Sequence, residues 1–271
     1  MIDISFGQYY PSASVLHKLD PRIKIILTLL LVIGIFVCNT AISLLLALVF
    51  CVFLIVVSKI PLITYLKNIK PLIPIILLTF ILNIIYVPGE QVLFHVWKLS
   101  ITAEALQTAV YIAIRIVLLV IFTSFLTYST TPTALTGAIE SLLGWLKVLK
   151  VDVHSIAMMM TIALRFIPTL IDEINKIINA QKARGADFDS GNVIKKLKAM
   201  VPILIPLFIS SFRRAYELAN AMECRCYHGG DGRTKMKTLK AGKRDYFAGV
   251  LVILVFAGFI LLNQIKIGGL Y

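Results

Sequence analysis

The chain has 271 residues, 59% of them hydrophobic, with a mean hydropathy of +0.89. A soluble domain of that balance would expose apolar patches far larger than monomers tolerate, so the composition points to an all-α polytopic membrane protein. The formal charge of +13, from 27 Lys and Arg against 14 Asp and Glu, reads as basic loops on one membrane face. It does not read as a nucleic-acid partner, because the charges interleave with apolar helix faces and lack clustered aromatics.

Asp3, Pro11 and Asp20 precede the first apolar run, which has no small-x-small cleavage site, so no cleavable signal peptide is expected. That run, residues 23–38, is the first of five expected membrane helices. Asn39-Thr40 turns the chain into a second, 41–57, which Ser58-Lys59-Ile60-Pro61 ends. A third is expected over 71–87, stopped by Pro88-Gly89, a fourth over 106–128 and a fifth over 246–263. Several fall short of the ~20 residues a span needs. Residues 62–70 read as an amphipathic connector at the interface, with Lys67 and Lys70 toward headgroups and Leu62, Ile63 and Leu66 toward the core. Arg115 is the one ionisable residue expected deep in a span, open to a polar interface, a structural partner or snorkelling.

Charge sets the expected orientation. The N-terminal segment carries Lys18, Arg22 and Lys24, three more basic residues lie between the second and third spans, and eighteen lie in 129–245. In a five-span model these 24 of 27 share one side, which places the N terminus and the insert in the cytoplasm and the C terminus outside. The domains follow: a four-span membrane domain at 1–128, cytoplasmic coupling helices at 129–245, and a last span with an external C terminus at 246–271.

Within the insert, helices are expected over 132–150, 153–184 and 193–225. Ile156, Met160, Ala163, Ile167, Leu170, Ile174 and Ile177 recur at three and four, opposite Asp172, Glu173, Lys176 and Lys182. Such stripes suit a helical hairpin packed on itself or an arm lying against membrane partners. Pro168, Pro202 and Pro206 fall inside these helices and are expected to kink them. Gly185 stands where a C′ glycine ends a helix, with the turn at Asp189-Ser190-Gly191-Asn192.

Two helix ends carry one pattern: Ala183-Arg184-Gly185 and Cys224-Arg225-Cys226. A guanidinium is a fixed fork of donors, and small neighbours let a partner's backbone approach. Two such ends suggest an arm gripping two similar partners. Met158, Met159 and Met160 form a flexible cluster suited either to packing or to a surface accepting several partners. Lys195-Lys196-Leu197-Lys198 and Lys235-Met236-Lys237 suit anionic headgroups.

Other chemistries lack their residues. There is no His-Glu-x-x-His, no Gly-x-Ser-x-Gly and no paired acids within the spans. No Gly-x-x-x-x-Gly-Lys-Ser/Thr loop occurs, so ATP must bind on other chains and no cofactor is expected here. Cys224, Cys226 and His228 lack a fourth ligand and structural zinc spacing, so no metal site is expected. The four cysteines, two in spans and two in the insert, fit a reducing compartment.

The run 14–24, with Ser14, His17, Asp20, Pro21, Arg22 and Lys24, resembles the N-terminal signature of T components of energy-coupling factor (ECF) transporters. Leu164-Arg165-Phe166-Ile167-Pro168, Ala183-Arg184-Gly185-Ala186-Asp187-Phe188 and Ala221-Met222-Glu223-Cys224-Arg225-Cys226-Tyr227 are similar to that family's later motifs. The resemblance implies a bacterial cell-membrane, non-catalytic subunit seated between two ABC-type ATPase subunits and a small substrate-binding S component. It implies that Arg184 and Arg225 dock into the two ATPases, and it is nearest to the shared type serving vitamins such as riboflavin and folate. A dedicated cobalt, nickel or biotin permease subunit and a non-transporting membrane scaffold are the alternatives. Cys224 and Cys226 depart from a frequent Ala-Arg-Gly form, which leaves glycine's left-handed role there in question, with Gly229-Gly230 as another place for the helix to end.

Overall fold

The computed structural model describes residues 9–88, 92–96, 99–186, 193–230 and 239–264. These fall into two compact units, one drawn from Gly7–Leu135 and Leu239–Tyr271 and the other from Thr136–Thr238. In the first, α1 (Pro21–Val37) starts on Pro21, with the Asp20 carboxylate accepting from the Arg22 N–H at 2.9 Å. Thr40 and Ser43 form a reciprocal capping box that opens α2 (Ala41–Ser58), and Lys59 ends it in the left-handed conformation. Then come α3 (Leu62–Ile69), a 3₁₀ turn over Lys70–Leu72, and α4 (Ile73–Tyr86). Thr102 caps the 27-residue α5 (Ala103–Ser129), and α9 (Lys243–Gln264) completes the unit.

Two antiparallel strands, β1 (Val92–Val96) and β2 (Leu99–Thr102), stand between α4 and α5 in a region with no expected element. Val92, Phe94, Val96 and Ile101 are residues that favour extended backbone. The architecture is otherwise that of an all-α polytopic membrane protein.

Among the described residues, four helical stretches are long and apolar enough to cross a membrane where spans were expected: Ala41–Ser58, Leu62–Tyr86, Ala103–Ser129 and Lys243–Gln264. The 62–70 segment forms the short helix α3, and Lys70-Pro71-Leu72 tightens into a 3₁₀ turn that joins it to α4 in one apolar stretch. α4 alone has 14 residues, ~21 Å, so it needs α3 to approach the ~30 Å of a hydrocarbon core. α1 has 17 residues, ~26 Å, and the fifth stretch meeting length and composition is Val153–Ala183.

Ile35, Ala47, Phe122 and Phe259 are essentially inaccessible at the centre of the membrane unit. Gly34 is required there, because a Cβ on it would lie 2.9 Å from the Phe259 ring. The antiparallel pair α1 and α5 is clamped at both ends. Lys24 Nζ donates to Ser129 O at the α5 C terminus (2.8 Å), and Arg115 on α5 donates to Cys38 O at the α1 C terminus. Each cation thus meets orphan carbonyls at the negative end of the neighbouring helix. Arg115 has the structural partner that was one of its three sequence readings.

The N-terminal signature is a knot of hydrogen bonds. His17 Nε2–H donates to Tyr10 O (2.8 Å), so Nδ1 accepts from Ser14 Oγ (2.7 Å). The Asp245 carboxylate, 4% exposed, accepts from the backbone N–H groups of Asp20 and Gly242, each at 2.7 Å. Nothing in the local sequence linked Asp245 to Asp20, which lies at the other end of the chain.

Candidate functional site

The second unit is built on two helices of equal length, α7 (Val153–Ala183) and α8 (Val193–Glu223), 31 residues each or ~46 Å. They follow α6 (Pro132–Leu142), which is shorter than the expected 132–150 helix because Leu143–Leu149 winds as 3₁₀ before Lys150 turns left-handed. Asp152 caps α7, accepting from the Ser155 N–H at 3.1 Å, and its hydrogen bonds from Ser155 hold the carboxyl below its ordinary range. Pro168, Pro202 and Pro206 lie within helices that continue through them, each withholding one backbone donor.

The two X-Arg-X ends share one backbone device. At the end of α7, the Gly185 N–H donates to Lys182 O (3.0 Å) and the Ala186 N–H to Gln181 O (3.0 Å), with Gly185 at φ +85°. At the end of α8, the Cys226 N–H donates to Glu223 O (2.9 Å) and the Tyr227 N–H to Met222 O (3.1 Å), with Cys226 at φ +55°. Both are Schellman closures with arginine at the Ccap position. Gly229-Gly230 does not end α8; Cys226 takes the left-handed position itself. Both arginines are exposed, and among the described residues neither pairs with a carboxylate.

The ends are held far apart. α7 and α8 pack together, with an ion pair between Glu173 and Arg214, two of its polar residues. Met158 and Ile162 of α7 share a groove of about 450 Å³ with Leu218 and Met222 of α8 and with Arg225. Arg225 is therefore beside the N-terminal part of α7, while Arg184 is at its C terminus. The 26 residues from 158 to 184 correspond to ~39 Å of helix.

His154 helps seat this end. Its Nδ1 is 3.0 Å from Glu140 Oε1, and a Cβ on Gly230 would lie 2.4 Å from its ring. The three methionines do not form one patch: Met158 lines the groove, whereas Met159 and Met160 are exposed. Cys224 and Cys226 are exposed free thiols, while Cys38 and Cys51 are buried. The turn at Asp189–Asn192, the Asp187-Phe188 end of the first motif and Lys235-Met236-Lys237 lie outside the described residues.

The model of the cobalt transport protein family, CbiQ, matches residues 12–236. The energy-coupling factor transporter transmembrane protein EcfT of Ruminiclostridium cellulolyticum is 52% identical over 263 residues, 97% of this chain and 98% of the relative. EcfT of Clostridium kluyveri is 49% identical over 254 residues, 93% of this chain and 94% of the relative. EcfT of Lactococcus lactis subsp. cremoris is 43% identical over 266 residues, 98% of this chain and all of the relative. The chain belongs to the cobalt transport protein family CbiQ and to the energy-coupling factor transporter transmembrane proteins that these relatives represent.

Proposed function

We propose that this chain is the membrane-embedded coupling subunit of an ECF-type ABC importer in a bacterial cell membrane. Arg184 and Arg225 seat in two ABC-type ATPase subunits, and α7 and α8 pass the ATP-driven motion to a small substrate-binding S component. The observation that carries this reading is one arginine-bearing closure on two equal rods. Its two copies lie ~39 Å apart along α7, too far to share one pocket. ATP hydrolysis belongs to the partners, and this chain holds no nucleotide. The apolar faces of the arm, with exposed Met159 and Met160, meet the S component.

In this reading α7 lies at the cytoplasmic face, although its length and composition would allow a span. Glu173 paired with Arg214, and Asp172, Lys176 and Lys182 on the same helix, are costly in hydrocarbon. The N terminus and the 129–245 insert are cytoplasmic, and the C terminus is external. Vitamins are the proposed cargo. The cobalt transport name of the matching family favours a dedicated metal permease as the second reading.

Truncating one partner of a buried interfacial charge pair costs about 2–5 kcal/mol, more than tenfold in affinity. Arg184→Ala and Arg225→Ala should each weaken co-purification of the ATPase subunits by at least tenfold, and the double variant should lose uptake. Wild-type uptake by the double variant at equal expression would refute the assignment. Identifying the small membrane protein that co-purifies separates vitamin from metal cargo, and a scaffold would show no ATP-driven uptake in any reconstitution.

A further inference from the structure

Helices α2 and α9 meet at one end and part at the other. Near the closed end, Thr40 Oγ1 is 3.5 Å from Leu262 O, and a Cβ on Gly258 would lie 3.2 Å from Leu46. Toward Phe53 on α2 and Phe247 on α9 they frame a cleft of about 370 Å³ floored by α1 and α5. Its wall is almost wholly hydrocarbon. Lys24 also lines it, but the ammonium is committed to Ser129 O.

At the α9 end of the cleft stand Lys243 and Arg244, both exposed and without a carboxylate partner among the described residues. The adjacent Asp245 is turned inward onto two backbone N–H groups and is 4% exposed. From residue 243 to 252 the cleft follows α9 for ~14 Å, close to half of a ~30 Å hydrocarbon core. An apolar slot of this kind does not hold ordered water. One hydrocarbon chain does fit.

We propose that this cleft binds an anionic glycerophospholipid, with an acyl chain between α2 and α9 and the phosphate on Lys243 and Arg244. The headgroup selects the lipid by charge, and the cleft selects it by the chain. In the orientation proposed above, the occupant belongs to the cytoplasmic leaflet.

The test uses the full chain in mild detergent, incubated with phosphatidylglycerol or phosphatidylcholine of identical chains, with bound lipid read by native mass spectrometry. The wild type should retain phosphatidylglycerol in preference. Replacing both cations, Lys243→Gln with Arg244→Gln, should weaken phosphatidylglycerol by about 25-fold, or fivefold per charge (~1 kcal/mol each), and leave phosphatidylcholine nearly unchanged. Ala248→Trp, which fills the cleft, should lower retention of both lipids. Equal retention of the two lipids by the wild type would overturn the proposal. So would undiminished phosphatidylglycerol on either variant, the result expected if a partner protein covers the cleft instead.

Discussion

At Cys226 the backbone holds a conformation that the side chain does not favour. A residue with a Cβ in the left-handed region is strained by roughly 1 kcal/mol, a cost glycine escapes. Gly185 occupies the matching position on α7, with nothing within 4 Å of an added Cβ, so its requirement is purely one of backbone. Cys226→Gly should therefore stabilise the end of α8 by about 1 kcal/mol, and Gly185→Ala should destabilise the end of α7 by a similar amount. Hydrogen exchange at the Ala186 and Tyr227 amides reads both changes; equal protection in variant and parent would show that the closures are not limited by φ. The α7 closure was legible in the sequence because glycine announces it. The end of α8 was expected at 225 too, but the left-handed conformation of Cys226 was not legible, because cysteine carries no such signal and the bond pattern alone imposes it.

Among the elements, the spans were readable because apolar runs ended at Pro, Gly, Asn and Ser. Their fine structure was not. The 3₁₀ turns at Lys70–Leu72 and Leu143–Leu149 and the strand pair before α5 depend on packing and pairing that a local reading lacks. The clamps between α1 and α5 were equally hidden, since Lys24 looked like one more positive charge near a span. Lys24→Met keeps the length of the side chain but leaves Ser129 O without its partner, which costs about 1–3 kcal/mol. Thermal unfolding in detergent should register that loss, and Arg115→Met should add to it independently because the clamps sit at opposite ends of the pair. A Lys24→Met protein as stable as the parent would mean that water or lipid replaces the ammonium there.

For the whole molecule, the two-unit organisation and the distribution of its thiols allow orientation to be read without adding probes. Cys224 and Cys226 are exposed and Cys38 and Cys51 are buried, so a membrane-impermeant maleimide reports the insert alone. Labelling should be negligible in intact cells and strong in inverted vesicles; strong labelling of intact cells would place the insert outside and reverse the proposed topology. The proposed orientation rests on charge bias across the chain, whereas partner identity and cargo are not written in any residue pattern of the chain.

The twin clamps on α1 and α5 have a mechanical consequence. Sliding one helix past the other by a single residue, ~1.5 Å, would unseat both cations together, so the pair resists shear in either direction. Lys24 and Cys38 are separated by the same number of residues as Arg115 and Ser129, which fixes one register and no other. The pair is thus the stator of the membrane unit.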